Sequence, residues 1–330
     1  MPSSLVKALS SVPAAISFVA GRSGPCRTPF SWPQSAIPGS LGLDSVSLTA
    51  LPTPFARDKV DERAFARLVD WQIEHGRQGL VVGGAIGEGP TLPLGERLRL
   101  IEIAVETSAM RAPIVAATGT NCTQESVELT QAAQKAGANA ALLVVPYYNR
   151  PSQQGVYAHF SQIARSVELP LILEADPGRT GIDIQAETLS RLAEIPNVIG
   201  IEEAEGGPFR LRPRRVACRP EFISLTGDDV DCLGFRVAGG TGCISIVANL
   251  VPAIWATFQR AIEEKNWERA KLISGGLWPL SSALRLETNP APLKYALSLL
   301  HSWFGPEVRL PLTPVSEDTA EAIREALARL

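Results

Sequence analysis

The sequence predicts an α/β fold, a parallel (β/α)8 TIM barrel with a C-terminal helical appendage. Eight short apolar segments recur between residues 46 and 247, and a helical pattern follows each of them. The connections between these segments have ordinary lengths for such a fold. Beyond Val251 the patterns are helical only, over residues 252–264, 267–284, 290–303 and 316–328. The last three form the appendage, which is expected to pack on the barrel or on a partner subunit.

The chain divides into an N-terminal extension (residues 1–40), the barrel (residues 41–265) and the C-terminal helices (residues 266–330). The extension contains no Asp or Glu and is rich in Ser and Pro. This composition is typical of a targeting segment, but it also fits an irregular extension or translation from an upstream start codon. We favour the irregular extension and leave organelle targeting open.

Turn and capping residues delimit the first half of the barrel. The first strand is predicted over residues 46–51, and Asp61 caps the following helix, which Gly76 ends. Thr123 begins the helix between the third and fourth strands, and Gly137 ends it. The helix between the second and third strands has apolar residues at helical spacing: Leu94, Leu98, Ile101 and Val105. The second, third and fourth strands are predicted over residues 79–83, 113–117 and 140–145.

The second half of the barrel contains four further strands. The sixth, residues 198–201, follows a helix stop at Pro196 and Asn197 and ends at acidic residues. A helix is predicted after the seventh strand, with Asp228 as a candidate cap. The fifth, seventh and eighth strands are predicted over residues 171–173, 222–225 and 243–247.

Functional side chains of such barrels collect where the strands end. The second strand leads into a loop over residues 83–89, whose four glycines either let backbone approach a ligand or simply form a tight turn. Tyr148 follows the fourth strand between two prolines and offers a hydroxyl for proton relay or a ring for packing. Arg179 follows the fifth strand on a Gly-bounded turn, where its guanidinium is suited to bind a carboxylate. Glu202 stands at the end of the sixth strand.

Composition narrows the choice of partners and compartment. A net charge of −3 and a pI near 5.8 give no basic footprint for nucleic acid. The sequence has no apolar run long enough to cross a membrane. Its five cysteines form no C-x-x-C pair, which favours reduced thiols and a cytoplasmic protein. We therefore expect a small-molecule ligand rather than a nucleic acid or a membrane.

Seven motifs of the chain resemble the dihydrodipicolinate synthase and N-acetylneuraminate lyase family of pyruvate-dependent aldolases. The likeness covers nearly all of residues 43–330 and is closest to the synthase branch. The motifs are Leu-Thr-Ala-Leu-Pro-Thr-Pro-Phe at 48–55, Gly-Glu at 87–88, Pro-Tyr-Tyr-Asn-Arg-Pro at 146–151, Gly-Arg-Thr-Gly at 178–181, Gly-Ile-Glu-Glu-Ala at 200–204, Thr-Gly-Asp-Asp at 226–229 and Asn-Pro-Ala-Pro-Leu-Lys at 289–294. The resemblance implies a (β/α)8 barrel with three C-terminal helices, and a homotetramer or homodimer.

The resemblance also assigns roles to individual positions. Tyr148 matches a tyrosine contributed across the dimer, and Arg179 matches the arginine that receives the second substrate's carboxylate. The predicted substrate-binding set is completed by positions that line the family's pocket: Gly84, Ala85, Ile86, Gly227 and Ile244.

The sequence departs from the family pattern at three places, which comprise four residues. The position of the Schiff-base lysine is Glu202, and that of the proton-relaying tyrosine of the fifth strand is Glu174. The two-hydroxyl motif after the second strand is Ala85 and Ile86, which carry no hydroxyl. A carboxylate cannot form the iminium that a lysine amine forms with a 2-oxo acid. The predicted catalytic residues are therefore Glu202, Glu174 and Tyr148, without the standard mechanism.

Three hypotheses remain open from the sequence. The first, which we prefer, is a carbon–carbon or carbon–oxygen lyase that acts on a 2-oxo acid or other small carboxylate. Its chemistry would be carboxylate acid/base catalysis or catalysis assisted by a divalent metal. No cofactor is expected unless it is such a metal, held by Glu174, Asp176 and Glu202. The second is an inactive family member that serves as a carboxylate-binding or regulatory subunit. The third is an ordinary pyruvate-dependent 4-hydroxy-tetrahydrodipicolinate synthase or related lyase.

Overall fold

The structure, a computed structural model, describes residues 46–76, 79–204 and 207–330. The extension predicted over residues 1–40 lies outside these ranges. Within them, eight parallel strands close into a barrel in which β1 pairs with both β2 and β8. The strands are β1 Val46–Ala50, β2 Gly79–Val82, β3 Ile114–Ala117, β4 Ala140–Val144, β5 Leu171–Ala175, β6 Val198–Glu203, β7 Ile223–Thr226 and β8 Gly242–Ser245. The predicted fold class is confirmed.

Helices surround the barrel and form its C-terminal appendage. In the described ranges they are α1 Glu62–His75, α2 Leu94–Ser108, α3 Thr123–Ala136, α4 Gln153–Ala164, α5 Pro177–Thr180, α6 Ala186–Ala193, α7 Gly207–Ala217, α8 Cys232–Val237, α9 Pro252–Glu263, α10 Trp267–Ala283, α11 Ala291–Leu300 and α12 Glu317–Ala328. In the appendage, α12 packs against both α10 and α11, and α10 also packs against α9. The strands are almost wholly buried, because helices cover their outer faces and their inner faces point into the barrel interior.

Two predicted helix boundaries are confirmed by their capping geometry. The Asp61 carboxylate accepts a hydrogen bond from the Ala64 amide over 3.0 Å at the start of α1. Gly137 ends α3 in the left-handed conformation, with φ of 92°, which a residue without a side chain adopts at little cost. Local sequence therefore sets these two ends.

The structure corrects the prediction at three places. Strands β5 and β6 each run two residues beyond the predicted end, so Glu174 and Glu202 lie inside the strands. Asp228 does not cap the following helix, because α8 begins only at Cys232. A short antiparallel pair, Phe55–Ala56 with Lys59–Val60, was not predicted. Its turn is formed by Arg57 and Asp58 at positive φ rather than by the Asn-Gly or Asp-Gly that usually signals a hairpin.

Across the residues that the structure describes, no helix combines the length and the apolar character needed to cross a membrane.

Candidate functional site

A cavity of about 240 Å³ opens at the carboxyl ends of the barrel strands. Its lining contains all the ligand-contacting positions predicted from the sequence apart from Tyr148: Gly84, Ala85, Ile86, Glu174, Asp176, Arg179, Glu202, Gly227 and Ile244. The chain thus brings residues from β2, β5, β6, β7 and β8 to one place, as the barrel geometry requires. Tyr148 is outside this lining and 89% exposed. Its expected contribution across a subunit interface stays a prediction.

Glu174 and Glu202 lie side by side on adjacent strands. They are paired residues in the parallel register of β5 and β6. Burial raises the pKa of Glu202 well above its ordinary value, and the neighbouring charges of Glu174, Asp176 and Glu203 raise it further. Burial and the charge of Asp176 raise the pKa of Glu174 to about 7, against the opposing effect of Arg179. Near neutral pH, Glu174 is therefore divided between its two forms, and Glu202 holds its proton more strongly than an ordinary glutamate.

Glu203, the next residue on β6, points to the other side of the strand and has a different environment. Its carboxylate lies 3.0 Å from the Nε atoms of both Arg210 and Arg214 on α7. The same two arginines also contact Asp183, at 2.6 and 2.7 Å. Burial raises the pKa of Glu203, whereas the two guanidinium groups lower it. This buried network fixes α7 against β6, immediately beside Glu202.

Arg179 is the cavity residue predicted to bind a carboxylate, and in this structure it already has partners. Its Nε lies 3.4 Å from the Asp176 carboxylate, and its Nη2 donates to the Asn289 carbonyl over 3.4 Å. The same Asp176 side chain accepts a hydrogen bond from the Arg179 amide over 3.0 Å. An anionic ligand would share this guanidinium with Asp176, which lowers the net attraction but holds Arg179 in place.

A second ion pair stands at the cavity and was not found from the sequence. Arg285 Nη1 lies 2.8 and 3.0 Å from the two carboxylate oxygens of Asp228. Beside it, Asp229 is half-buried and accepts hydrogen bonds from the amides of Ile246 and Val247, over 2.9 and 2.8 Å. Burial raises the pKa of Asp229 to about 6. The Thr-Gly-Asp-Asp motif pointed to the aspartates, but nothing in the sequence indicated Arg285, which lies 57 residues away.

The three carboxylates suggested as metal ligands are not arranged as a metal site. Within residues 46–76, 79–204 and 207–330, no group of three or more His, Cys, Asp or Glu side chains is placed to hold a metal ion. Asp176 is engaged by Arg179, and Glu174 and Glu202 repel each other when both are ionised. Among the described residues, Glu174, Asp176 and Glu202 are therefore not grouped as metal ligands, and a metal held by them stays an untested alternative.

Comparison with known proteins identifies the family. The dihydrodipicolinate synthetase family matches residues 44–330. The chain belongs to this family. It is 44% identical over 284 residues to a 4-hydroxy-tetrahydrodipicolinate synthase of Sphingopyxis alaskensis, covering 86% of this chain and 98% of that protein. It is 45% identical over 283 residues to the Brucella abortus synthase, covering 85% and 96%.

Solved structures of the dihydrodipicolinate synthetase family have the same fold. The dihydrodipicolinate synthase of Acinetobacter baumannii, in complex with pyruvate, superimposes with a TM-score of 0.83 at 40% identity, covering 86% of this chain and 98% of that one. The 4-hydroxy-tetrahydrodipicolinate synthase of Methylacidiphilum fumariolicum gives a TM-score of 0.84 at 39% identity, covering 86% and 95%.

The lysines that the structure describes stand away from the cavity. Of the residues that the structure describes, no lysine lines the cavity. Lys294, in the Asn-Pro-Ala-Pro-Leu-Lys motif, is fully buried elsewhere, with Nζ 2.5 Å from Glu88 and 2.6 Å from the Glu307 carbonyl. Burial lowers the pKa of Lys294 to about 8 although Glu88 opposes this. Its position ties the C-terminal segment to the loop after β2.

Gly227 provides the space that Glu202 occupies. A Cβ on Gly227 would lie 2.0 Å from Glu202 Oε1 and 3.2 Å from the Ala204 Cα. We expect Gly227→Ala to displace the Glu202 carboxylate and to lower the free energy of unfolding by about 1–3 kcal/mol, measured by urea denaturation. Gly275→Ala is the matched control, because its Cβ would meet nothing within 4 Å, and it should be neutral or slightly stabilising. Equal stability of wild type and Gly227→Ala would contradict the packing described here.

Proposed function

We propose that the protein is a lyase of the 4-hydroxy-tetrahydrodipicolinate synthase type, acting on a small 2-oxo acid such as pyruvate in the barrel cavity. The observation that carries this proposal is the likeness to synthases at 44–45% identity over 96–98% of their length. This likeness supports the ordinary synthase alternative better than the lysine-independent chemistry that we placed first from the sequence. The size of the cavity at the strand ends also fits a small 2-oxo acid.

If no lysine takes part, the two proton transfers of the reaction are divided between two glutamates at the cavity. Glu202, whose pKa is raised by burial and by the neighbouring carboxylates, can give its proton to the oxo oxygen of the substrate. Glu174, with a pKa of about 7, can remove a proton from the neighbouring carbon, which yields an enol. Two carboxyl groups whose environments differ in this way are a common source of an acid and a base. Arg179 is the cation beside them that binds a carboxylate.

Two measurements on the full chain test the proposal. The first follows formation of 4-hydroxy-tetrahydrodipicolinate and exchange of pyruvate methyl protons with D2O by NMR. We expect exchange by wild type and a loss of about 100-fold or more in Glu174→Gln, because a general base is removed. Exposed Glu263 supplies the matched control, Glu263→Gln, which should keep full activity. A wild-type protein that neither forms the product nor exchanges the methyl protons would contradict the proposal.

The second measurement is borohydride reduction in the presence of pyruvate, read by intact mass. No adduct is expected, because the cavity lining contains no lysine among the described residues. A stable adduct would show that a lysine forms an imine, and the acid/base division between Glu174 and Glu202 would then be withdrawn.

A second candidate function is a binding subunit without turnover. It is favoured by the same absence of a described lysine at the cavity and by the engagement of Arg179 with Asp176. A thermal-shift titration with pyruvate separates the two candidates. Stabilisation without methyl exchange supports the binding subunit, and exchange excludes it.

A further inference from the structure

We propose that Glu88 and Lys294 are positioning residues for the loop at residues 84–87, and that the C-terminal segment at residues 307–309 holds both of them. Neither side chain lines the cavity, so they set its ligand affinity through the backbone of the loop. The inference rests on the proposed function only for its test ligand, pyruvate, and its first measurement needs no ligand.

The loop between β2 and α2 forms one wall of the cavity. Its four consecutive residues 84–87 all line the cavity. The chain leaves this wall through Glu88, whose φ of 54° lies in the left-handed region. Because a Cβ atom disfavours that conformation, a glutamate keeps it only where its surroundings stabilise it. The backbone at Glu88 therefore depends on contacts with other parts of the fold.

Two contacts hold the Glu88 side chain, which is only 2% exposed. Lys294 Nζ donates to Glu88 Oε1 over 2.5 Å, and the Arg309 amide donates to Glu88 Oε2 over 3.0 Å. These partners lie 206 and 221 residues further along the chain. The sequence of the loop alone therefore does not fix its conformation, and the two C-terminal partners complete it.

Glu307 fastens Lys294 to the turn of the short antiparallel pair. Its carbonyl accepts a hydrogen bond from Lys294 Nζ over 2.6 Å. Its carboxylate accepts hydrogen bonds from the amides of Arg57 and Asp58, over 3.0 and 2.6 Å. Lys294 is thereby held between the C-terminal segment and the loop, with little freedom to follow Glu88 if the loop moves.

Arg309 fastens the same segment on its other side. Its Nη2 donates to the Asp58 carbonyl over 2.6 Å and to the Glu96 carboxylate on α2 over 2.9 Å. Its guanidinium carbon lies 4.3 Å from the centre of the Phe55 ring, and Lys294 Nζ lies 4.1 Å from the same centre. The C-terminal segment has enough independent contacts to be a fixed support for the loop.

The loop is packed so closely on itself that a displacement at Glu88 reaches the cavity wall. A Cβ on Gly89 would lie 2.1 Å from the Gly83 carbonyl oxygen. The Gly89 amide also donates to the Gly84 carbonyl over 3.0 Å. The residues on the two sides of Glu88 therefore move together, and release of Glu88 shifts the wall against which a ligand binds.

The first test is hydrogen–deuterium exchange of the full chain without ligand, followed in the peptide that covers residues 83–89. Arg309→Ala removes side-chain contacts of the C-terminal segment and changes no residue of this peptide. We expect about 10-fold faster exchange of the peptide in Arg309→Ala and in Glu88→Ala. Exchange should be unchanged in Glu263→Gln, whose side chain is exposed. Unchanged exchange in both Arg309→Ala and Glu88→Ala overturns the inference.

The second test separates positioning from stability with two substitutions at one residue. Glu88→Ala and Glu88→Gly both leave Lys294 buried without its carboxylate partner, so both lose the same ion pair. Glycine adopts a positive φ readily, whereas alanine does not. We expect calorimetry to show pyruvate binding about 10-fold more weakly to Glu88→Ala than to wild type, and Glu88→Gly to recover part of this loss. Equal affinity of Glu88→Ala and wild type, or no recovery in Glu88→Gly, contradicts the positioning role.

Failure of the inference and failure of the proposed function give different results. Wild type that neither binds pyruvate nor exchanges its methyl protons contradicts the proposed function, while hydrogen–deuterium exchange of residues 83–89 still decides whether the C-terminal segment positions the loop. Wild type that exchanges the methyl protons, together with variants whose loop exchange and pyruvate affinity are unchanged, contradicts the inference alone.

Discussion

Lys294→Met is expected to lower the free energy of unfolding by about 3–5 kcal/mol. Lys294 is fully buried, and its Nζ contacts Glu88 at 2.5 Å and lies 4.1 Å from the centre of the Phe55 ring. Methionine removes the cation and leaves the Glu88 carboxylate buried, where the Arg309 amide still donates to it over 3.0 Å. Uncompensated burial of a charge accounts for most of the loss. Urea denaturation at neutral pH measures it.

A double variant tests this explanation of the Lys294 effect. Glu88→Gln together with Lys294→Met removes both charges, so it should recover a large part of the stability lost in Lys294→Met alone. Exposed Lys271 gives the matched control, Lys271→Met, which should stay within about 0.5 kcal/mol of wild type. A double variant no more stable than Lys294→Met would show that packing, and not the charge on Glu88, sets the effect.

The barrel could be predicted because each strand and each helix has its own local sequence pattern, and the strand–helix pattern repeats eight times. Buried parallel strands read as short apolar runs, and Asp61 and Gly137 mark helix ends through their own side chain or lack of one. The ends of β5 and β6 could not be predicted from apolar runs. Their ladders continue to Ala175 and Glu203, which pair with each other, because neighbouring strands supply hydrogen bonds beyond the last apolar residue.

The site was predictable where one strand end carries the residue and unpredictable where two distant segments meet. Glu202 follows an apolar run directly, so its place at the cavity could be inferred. Arg285 reaches Asp228 from the end of α10, and Arg214 reaches Glu203 from α7. These pairings depend on tertiary packing, for which a single sequence has no local pattern. The raised pKa of Glu202 likewise needs the register of β5 and β6.

Glu174→Gln is expected to raise the free energy of unfolding by about 2 kcal/mol at about pH 8 and by only about 0.5 kcal/mol at about pH 5. The folded-state pKa of Glu174 is about 7, above its ordinary value of 4.5. Below the ordinary value, the carboxyl is protonated in both the folded and the unfolded state and costs nothing. As pH rises towards 7 the unfolded chain ionises first, so the folded state loses stability, and above 7 the loss is complete. The magnitude is reduced because Glu174 contacts the cavity, where water screens its charge.

The matched comparison for this pH dependence is Glu263→Gln, whose exposed carboxylate should change stability by less than about 0.5 kcal/mol at either pH. Glu202→Gln should act in the same direction as Glu174→Gln, since burial also raises the pKa of Glu202. Because the charge of Glu174 raises the pKa of Glu202, the double variant should gain less than the sum of the single variants. Chemical denaturation from about pH 5 to pH 9 gives these values. A pH-independent effect of Glu174→Gln would mean that the pKa of Glu174 is not raised in the folded state, and the role of base proposed for it would lose its physical basis.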